Sequence, residues 1–185
     1  MTLNASESLV GANGRVYVAP AGTASPSTST SALSADWIEL GFTTAEGVQF
    51  QVTRNFVDVE SWQTAFPIRK LNTTITGKVM TKLIQFNEIT LPLALGGGTI
   101  SETSGAYTFT PAPAGTIDER ALVVEWNDNG KHYRIYVSRV VNSESVDIAL
   151  TRTNVATLPL GFDILGSNDG SPPFTWLTDD ANWAV

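Results

Sequence analysis

The sequence predicts a mainly β protein, a sandwich or barrel of short antiparallel strands with one short flanking helix and one long protruding hairpin or loop. Three observations carry this. Val48–Thr53, Ser145–Thr153 and Ala156–Ile164 alternate apolar and polar residues, the period-2 pattern of strands with one wet face. Asn127-Asp128-Asn129-Gly130 between two apolar runs is a strong hairpin signal. Only Phe86–Leu95 has helical character, and Pro92 inside it keeps that helix short or makes it begin late.

Taken in order, Arg15–Ala19 is a first strand entered through the turn-prone Asn13-Gly14. From Thr23 to Ser31 the chain is dominated by Ser and Thr, so residues 23–35 are expected to bury little and to form a mobile loop. Trp37–Phe42 begins a more apolar section, and Val48–Thr53 is the second clear strand. Arg54–Asn72 then carries Phe56, Val57, Val59, Trp62, Phe66, Ile68 and Leu71 without clean alternation or a helical stripe. Thr73–Leu83 returns to strand character. In Phe86–Leu95 Asn87 is the candidate N-cap, and Gly96-Gly97-Gly98 stops the helix. Strands follow at Ala106–Thr110, Ala121–Trp126 and Lys131–Val137, then the alternating stretches Ser145–Thr153 and Ala156–Ile164. The division expected is a flexible segment 1–14, one domain over 15–166 and a C-terminal segment 167–185.

Composition narrows function. The 185 residues are 42% hydrophobic and 16% charged, enough for one packed core. Eleven basic against eighteen acidic side chains give −7, which argues against a phosphate-binding surface as the main business. There is no cysteine, so disulfides, thiolate metal sites and cysteine nucleophiles are excluded, and the single histidine, His132, leaves little room for relay chemistry. Met1–Glu7 lacks the pattern of a secretory signal, and no apolar run approaches a membrane span, so synthesis and solubility in a cytosol are expected. Asn4-Ala5-Ser6 and Asn72-Thr73-Thr74 match the glycosylation pattern by accident on that view.

The sequence carries no recognisable catalytic motif. His132 reads as a turn-flanking polar residue. The Asn/Asp/Gly run at 127–130 fails the calcium-loop pattern, because Tyr136 stands where a bidentate Glu is needed. Asp58 with Glu60, Asp118 with Glu119, and Asp179 with Asp180 are carboxylate neighbours whose plain reading is solvated turns and faces. No cofactor or metal site is expected. Trp62, Trp126, Trp176 and Trp183 leave open a carbohydrate-binding platform on a monomeric sandwich. Tyr133-Arg134-Ile135-Tyr136 reads better as a strand with a polar edge than as a nucleic-acid contact.

Arg54–Asn72 is too apolar for an ordinary solvent loop. It either folds back over its own core or protrudes and is covered by a partner, and the remaining strands already supply a core. The interface candidates are Arg54, Phe56, Val57, Val59, Trp62, Phe66, Ile68, Arg69 and Leu71.

The order Gly14–Pro20, a Ser/Thr/Pro loop, Trp37–Val48, Val59–Gln63 with Pro67–Lys70, Leu91–Gly98, Asp118–Trp126 and Leu150–Asn154 with Leu158-Pro159 resembles the major tail tube proteins of long-tailed, siphovirus-type bacteriophages, particularly those of actinobacteria. The resemblance runs from about Gly11 to Gly166. It implies a virion structural protein assembled in the host bacterial cytoplasm into homohexameric rings stacked as a tail tube. Genomic DNA would pass through the lumen without specific binding and without a membrane role, with tape-measure and tail-end proteins as further partners. It also implies that residues 54–72 are the inter-subunit hairpin. Strands around Val48–Thr53, Thr73–Leu83 and Ser145–Thr153 would line the lumen, with Gln49, Gln51, Thr74, Thr76, Lys78 and Asp147 facing the channel.

Overall fold

A computed structural model describes residues 7–167 and 169–184. Asn4-Ala5-Ser6 and most of the expected signal-free start lie outside the described residues. Ten strands are present: β1 (Ala12–Pro20), β2 (Ile38–Glu39), β3 (Thr43–Ser61), β4 (Thr64–Leu83), β5 (Gly98–Thr103), β6 (Ala106–Pro111), β7 (Glu119–Asp128), β8 (Lys131–Asn142), β9 (Leu158–Ile164) and β10 (Phe174–Thr178). Among the described residues the one α-helix, α1, spans Thr90–Ala94, and a short 3-10 turn covers Ala181–Trp183. The architecture is mainly β and antiparallel, as the alternation predicts.

Eight strands form one sheet in the order β2-β1-β7-β8-β9-β4-β3, while β5 and β6 make a separate two-stranded hairpin. β8 is long enough to serve two neighbours on one edge. Its first half pairs with β10 through Tyr133–Val137, and its end pairs with β9 through Val140–Asn142. Residues 174–178 of the C-terminal segment thus join the main sheet, a strand that the Gly/Pro/Asp-rich tail does not advertise.

The sheet cannot be flat. Five interstrand steps separate β1 from β3, about 24 Å at ordinary spacing. Yet Val16 and Val18 of β1 share one apolar cluster with Val48 and Phe50 of β3, Val79 and Leu83 of β4, and Leu158, Leu160 and Phe162 of β9. Only a sheet that curls on itself brings these inner faces together. Leu93 of α1 plugs the cluster.

Local chemistry fixes the turns. Asn129 and Gly130 both have positive φ, 50° and 79°, the requirement of the two-residue turn that joins β7 to β8. Asn87 Oδ1 accepts from the N–H groups of Ile89 and Thr90, both at 2.9 Å, and so closes the turn leading into α1, whose N-cap position is Ile89, two residues beyond the expected one.

The outer face of β1, β7 and β8 carries a second cluster of Ala19, Trp37, Ala121, Val123 and Tyr136. The Ser/Thr-rich loop lies beside it. Most of that loop's side chains are exposed, as expected, but its backbone is tied down. Arg134 donates to the carbonyls of Thr28 (2.6 Å) and Ser31 (2.9 Å), and the Tyr136 hydroxyl donates to Thr23 O (2.7 Å).

One expected strand is absent. Ser145–Thr153 is not paired into a ladder, although Val146 and Ile148 pack against the core. The alternation there sets which side chains turn inward. A ladder also requires backbone pairing with a neighbouring strand, and among the described residues none is formed here.

Candidate assembly surfaces

The only long departure from the curled sheet, among the described residues, is the β3–β4 hairpin. Its base, Val48–Phe50 against Val79–Thr81, belongs to the core. From Val52 opposite Gly77 outward to Ser61 opposite Thr64 it stands clear. That is ten residues of β3 and, with its irregularities, fourteen of β4, about 30 Å of reach at 3.3 Å per residue of the shorter strand. Trp62 and Gln63 make the turn, where Gln63 N–H donates to Ser61 Oγ at 3.2 Å.

All nine interface candidates lie on this arm. Trp62 at the tip is 99% exposed, Phe66 80% and Ile68 64%; Arg54, Phe56, Val57, Arg69 and Leu71 are exposed and Val59 is half-buried. The alternative in which this segment folds back over its own core is thereby removed. Register divides the candidates. Val57 faces Leu71 and Val59 faces Arg69 on one side, while Arg54 faces Ile75 on the other, with Phe56 one pleat beyond. The extra residue Thr73 makes a bulge between these regions and a second irregularity falls between Val59↔Arg69 and Ser61↔Thr64, which is why the segment shows no clean alternation. Cross-strand polar pairs stiffen the arm: Asn55 Nδ2 donates to Thr74 Oγ1 (3.0 Å), and Lys70 sits 3.4 Å from Asp58. Ile75, 58% exposed, continues the apolar surface and lies just outside the segment singled out from composition.

Five of the six channel-facing candidates share one sheet face. Gln49 opposes Met80, Gln51 opposes Lys78, Thr76 opposes Thr53 and Thr74 opposes Asn55, all on the side away from Val48, Phe50 and Val79. Asp163 of β9, an outward position of the alternating stretch Ala156–Ile164, lies opposite Lys78 and extends the same face, although it is not among the channel candidates. Lys78 Nζ reaches Glu144 at 2.9 Å, and that hydrogen bond raises the lysine pKa. Lys82 pairs with Glu46 at 2.8 Å. Gly161 is what lets the first pair lie flat, because a Cβ there would fall 2.4 Å from Glu144 Oε2 and 2.7 Å from Lys78 Cε. The sixth candidate, Asp147, is exposed on the unpaired stretch after β8, separate from the others within one chain.

The remaining chemistry-bearing groups serve structure. His132 has a partner that sequence proximity could not reveal: its Nδ1 lies 2.8 Å from Asp179 Oδ2, and its N–H donates to Asp179 Oδ1 at 2.6 Å. The backbone bond is the larger cause holding the Asp179 carboxyl below the usual carboxylate range. Asp180 is pulled down to about 2 by Lys131 first, then by the Tyr133 hydroxyl. Tyr133 is in turn pushed up to about 12, chiefly by that hydrogen bond. Asp118 binds Arg120, and Glu119 binds Arg139. Arg134 is buried and ion-paired with Glu125. Trp126, Trp176 and Trp183, scattered in sequence, converge with Tyr133, Phe50 and Phe174 in one edge-and-stack cluster at an end of the core. Trp62 stands apart from them on the arm. No group of three potential metal-ligating side chains occurs among the described residues. No described helix is long and apolar enough to cross a membrane.

The core is closed while the arm holds large apolar side chains in water, the surface pattern of structural proteins that pack against other chains. The particular kind follows from comparison with known families. A model of the phage tail tube protein family matches residues 1–185, and the chain belongs to that family. Its role is therefore that of a structural component of a virion tail, self-assembling into a tube. No curated protein matches the sequence.

Proposed function

We propose that this protein is the siphovirus-type tail tube subunit, closing into homohexameric rings that stack into the conduit for genomic DNA. The observation that carries the reading is the β3–β4 arm. Its base is anchored in the core, and on its outer part Phe56, Trp62, Phe66 and Ile68 stand exposed. Burying each of Phe56, Trp62, Phe66 and Ile68 against a neighbouring subunit would contribute about 1.5–3 kcal/mol before ordering costs. Repeated around a ring and along a stack, that is ample for assembly.

The face bearing Gln49, Gln51, Thr74, Thr76 and Lys78 is the lumen surface in this reading. A conduit for DNA must not hold phosphates, and dense Lys and Arg would do so. Here Lys78 and Lys82 are each paired with a glutamate, and the neighbouring positions are Gln and Thr. The surface is polar enough to stay wet and too balanced to bind a polyanion. Tape-measure and tail-end proteins would meet the same tube inside and at its end, in a virion assembled in the host bacterial cytoplasm. The work is conduction by shape and charge, with no bond made or broken.

Light scattering over rising protein concentration, followed by negative-stain microscopy, tests this. Six-fold rings or tubes are expected. A strict monomer at high concentration, even with phage tail partners added, would overturn it.

A further inference from the structure

The outer face of β1, β7 and β8 changes character along its length. One row across the three strands is Tyr17, Val123 and Tyr136, beside the Ser/Thr-rich loop. One pleat on, the row is Arg15, Glu125 and Arg134, and one pleat further Asn127 stands opposite His132. Asn13 completes that last row. β1 carries an extra residue between Ala12 and Arg15, and Asn13 takes up the bulge at φ 54°. These polar side chains share one patch, and Thr30 of the loop walls it. Together they line a depression of about 310 Å³, at the lower end of the range for small-molecule sites.

Three properties of this depression decide what fits it. Its charges are already matched: Arg15 lies 3.7 Å from Glu39, Arg134 is ion-paired with Glu125, and His132 Nδ1 lies 2.8 Å from Asp179. A free ion would find no uncompensated charge there. Its amides are idle. The side chains of Asn13 and Asn127 are exposed and bond to no other group, among the described residues. Its floor is a fixed donor. Arg134, 4% exposed, spends Nη1 and Nη2 on Thr28 O, Ser31 O and Glu125, while its Nε has no acceptor. Buried donors ordinarily find one. A ligand for this array must therefore offer donors and acceptors side by side and carry no charge. Adjacent hydroxyls on a sugar ring do so, each accepting from an amide or guanidinium N–H and donating to an amide oxygen or a carboxylate. An apolar ligand would strand the whole lining.

We propose that the depression bounded by Asn13, Arg15, Glu125, Asn127, His132 and Arg134 binds a neutral saccharide. Binding belongs to the single subunit and does not depend on assembly. With a lumen on the β3–β4–β9 side of the curled sheet, the depression opens on the opposite, outer side. A surface polysaccharide or a free sugar would meet it there.

Saturation-transfer NMR on the full, unassembled chain tests this with a panel of neutral hexoses, pentoses and their disaccharides, and with glucuronate. Transfer to at least one neutral sugar is expected, with glucuronate binding no more tightly than glucose. Asn13→Gly with Asn127→Ala removes the two idle amides, and glycine keeps the positive φ at position 13. This double variant should melt as the unsubstituted chain does and bind the sugar about tenfold more weakly. Asn127→Ser alone, which leaves the β1 bulge untouched, should show a smaller loss in the same direction. A mannan or galactan held more tightly than its monosaccharide would mark a surface polysaccharide as the source, and equal affinity a free sugar. No transfer to any neutral sugar, transfer undiminished in both variants, or a clear preference for glucuronate would each overturn the proposal, whatever the chain's state of assembly.

Discussion

Asn142 uses its whole hydrogen-bonding capacity inside the molecule. Its Nδ2 donates to Leu93 O (3.2 Å) and Ala94 O (2.9 Å), the last carbonyls of α1, and its Oδ1 accepts from the N–H groups of Gly161 (3.0 Å) and Glu144 (3.3 Å). One side chain therefore ties the helix, β9 and the start of the unpaired stretch. Asn142→Ala leaves those groups without partners and should cost about 2–3 kcal/mol, read as a lower urea midpoint at unchanged slope. Asp180 acts similarly at the other end, holding Lys131 and Tyr133 of β8 to the C-terminal strand region. Its folded pKa, about 2, lies below the ordinary aspartate range. A depressed carboxylate contributes stability above its unfolded pKa and loses it as pH falls through the folded one. The β10 edge should thus loosen between about pH 4 and 2, seen in the fluorescence of Trp176 and Trp183. Asp180→Asn should weaken the edge at neutral pH and flatten that part of the acid transition.

At the scale of elements, the arm and the Ser/Thr loop make opposite predictions. Trp62→Ala with Phe66→Ala removes side chains that touch no core, so monomer stability should stay within about 0.5 kcal/mol. Losing about 3–6 kcal/mol of burial between subunits should raise the assembly concentration a hundredfold or more. Light scattering and a melting curve on the same sample separate the two effects. Deleting Phe56–Leu71 should likewise leave a folded monomer, and a deletion that unfolds the domain would place the arm in the core after all. Arg134→Met does the reverse. It strands Glu125 and releases the carbonyls of Thr28 and Ser31, with an expected loss of about 3 kcal/mol and faster proteolysis within 23–35. Strands whose alternation faces a core, such as Leu158-Leu160-Phe162, were readable because burial writes a period of two. The arm is readable only as an excess of apolar residues, since Thr73 and the irregularity between Val59 and Ser61 break its period. The His132–Asp179 contact and the β10 pairing join residues about 40 or more positions apart, and local pattern carries no record of such distances.

For the whole molecule, charge placement matters more than the net −7. The proposed lumen face keeps its cations paired with carboxylates, and its neutrality is a property of Lys78–Glu144 and Lys82–Glu46, which lie 66 and 36 positions apart in sequence. Net charge alone never reveals such pairing. In a six-fold ring one substitution is repeated about six times at the same height, and again in every ring above and below. Gln49→Lys with Gln51→Lys would then line the conduit with unpaired ammonium groups at close spacing, each able to release counterions from a phosphate. These positions are exposed, so folding and ring formation should persist, visible as normal tubes in negative stain. Passage should not. Phage carrying the doubly substituted subunit are expected to eject DNA at least about tenfold more slowly in low salt, with the defect shrinking as salt screens the contacts. The acidic counterpart, Gln49→Glu with Gln51→Glu, should leave ejection near normal. Equal rates for the lysine and glutamate tubes at low salt would mean that this face does not see DNA, and that another surface lines the channel.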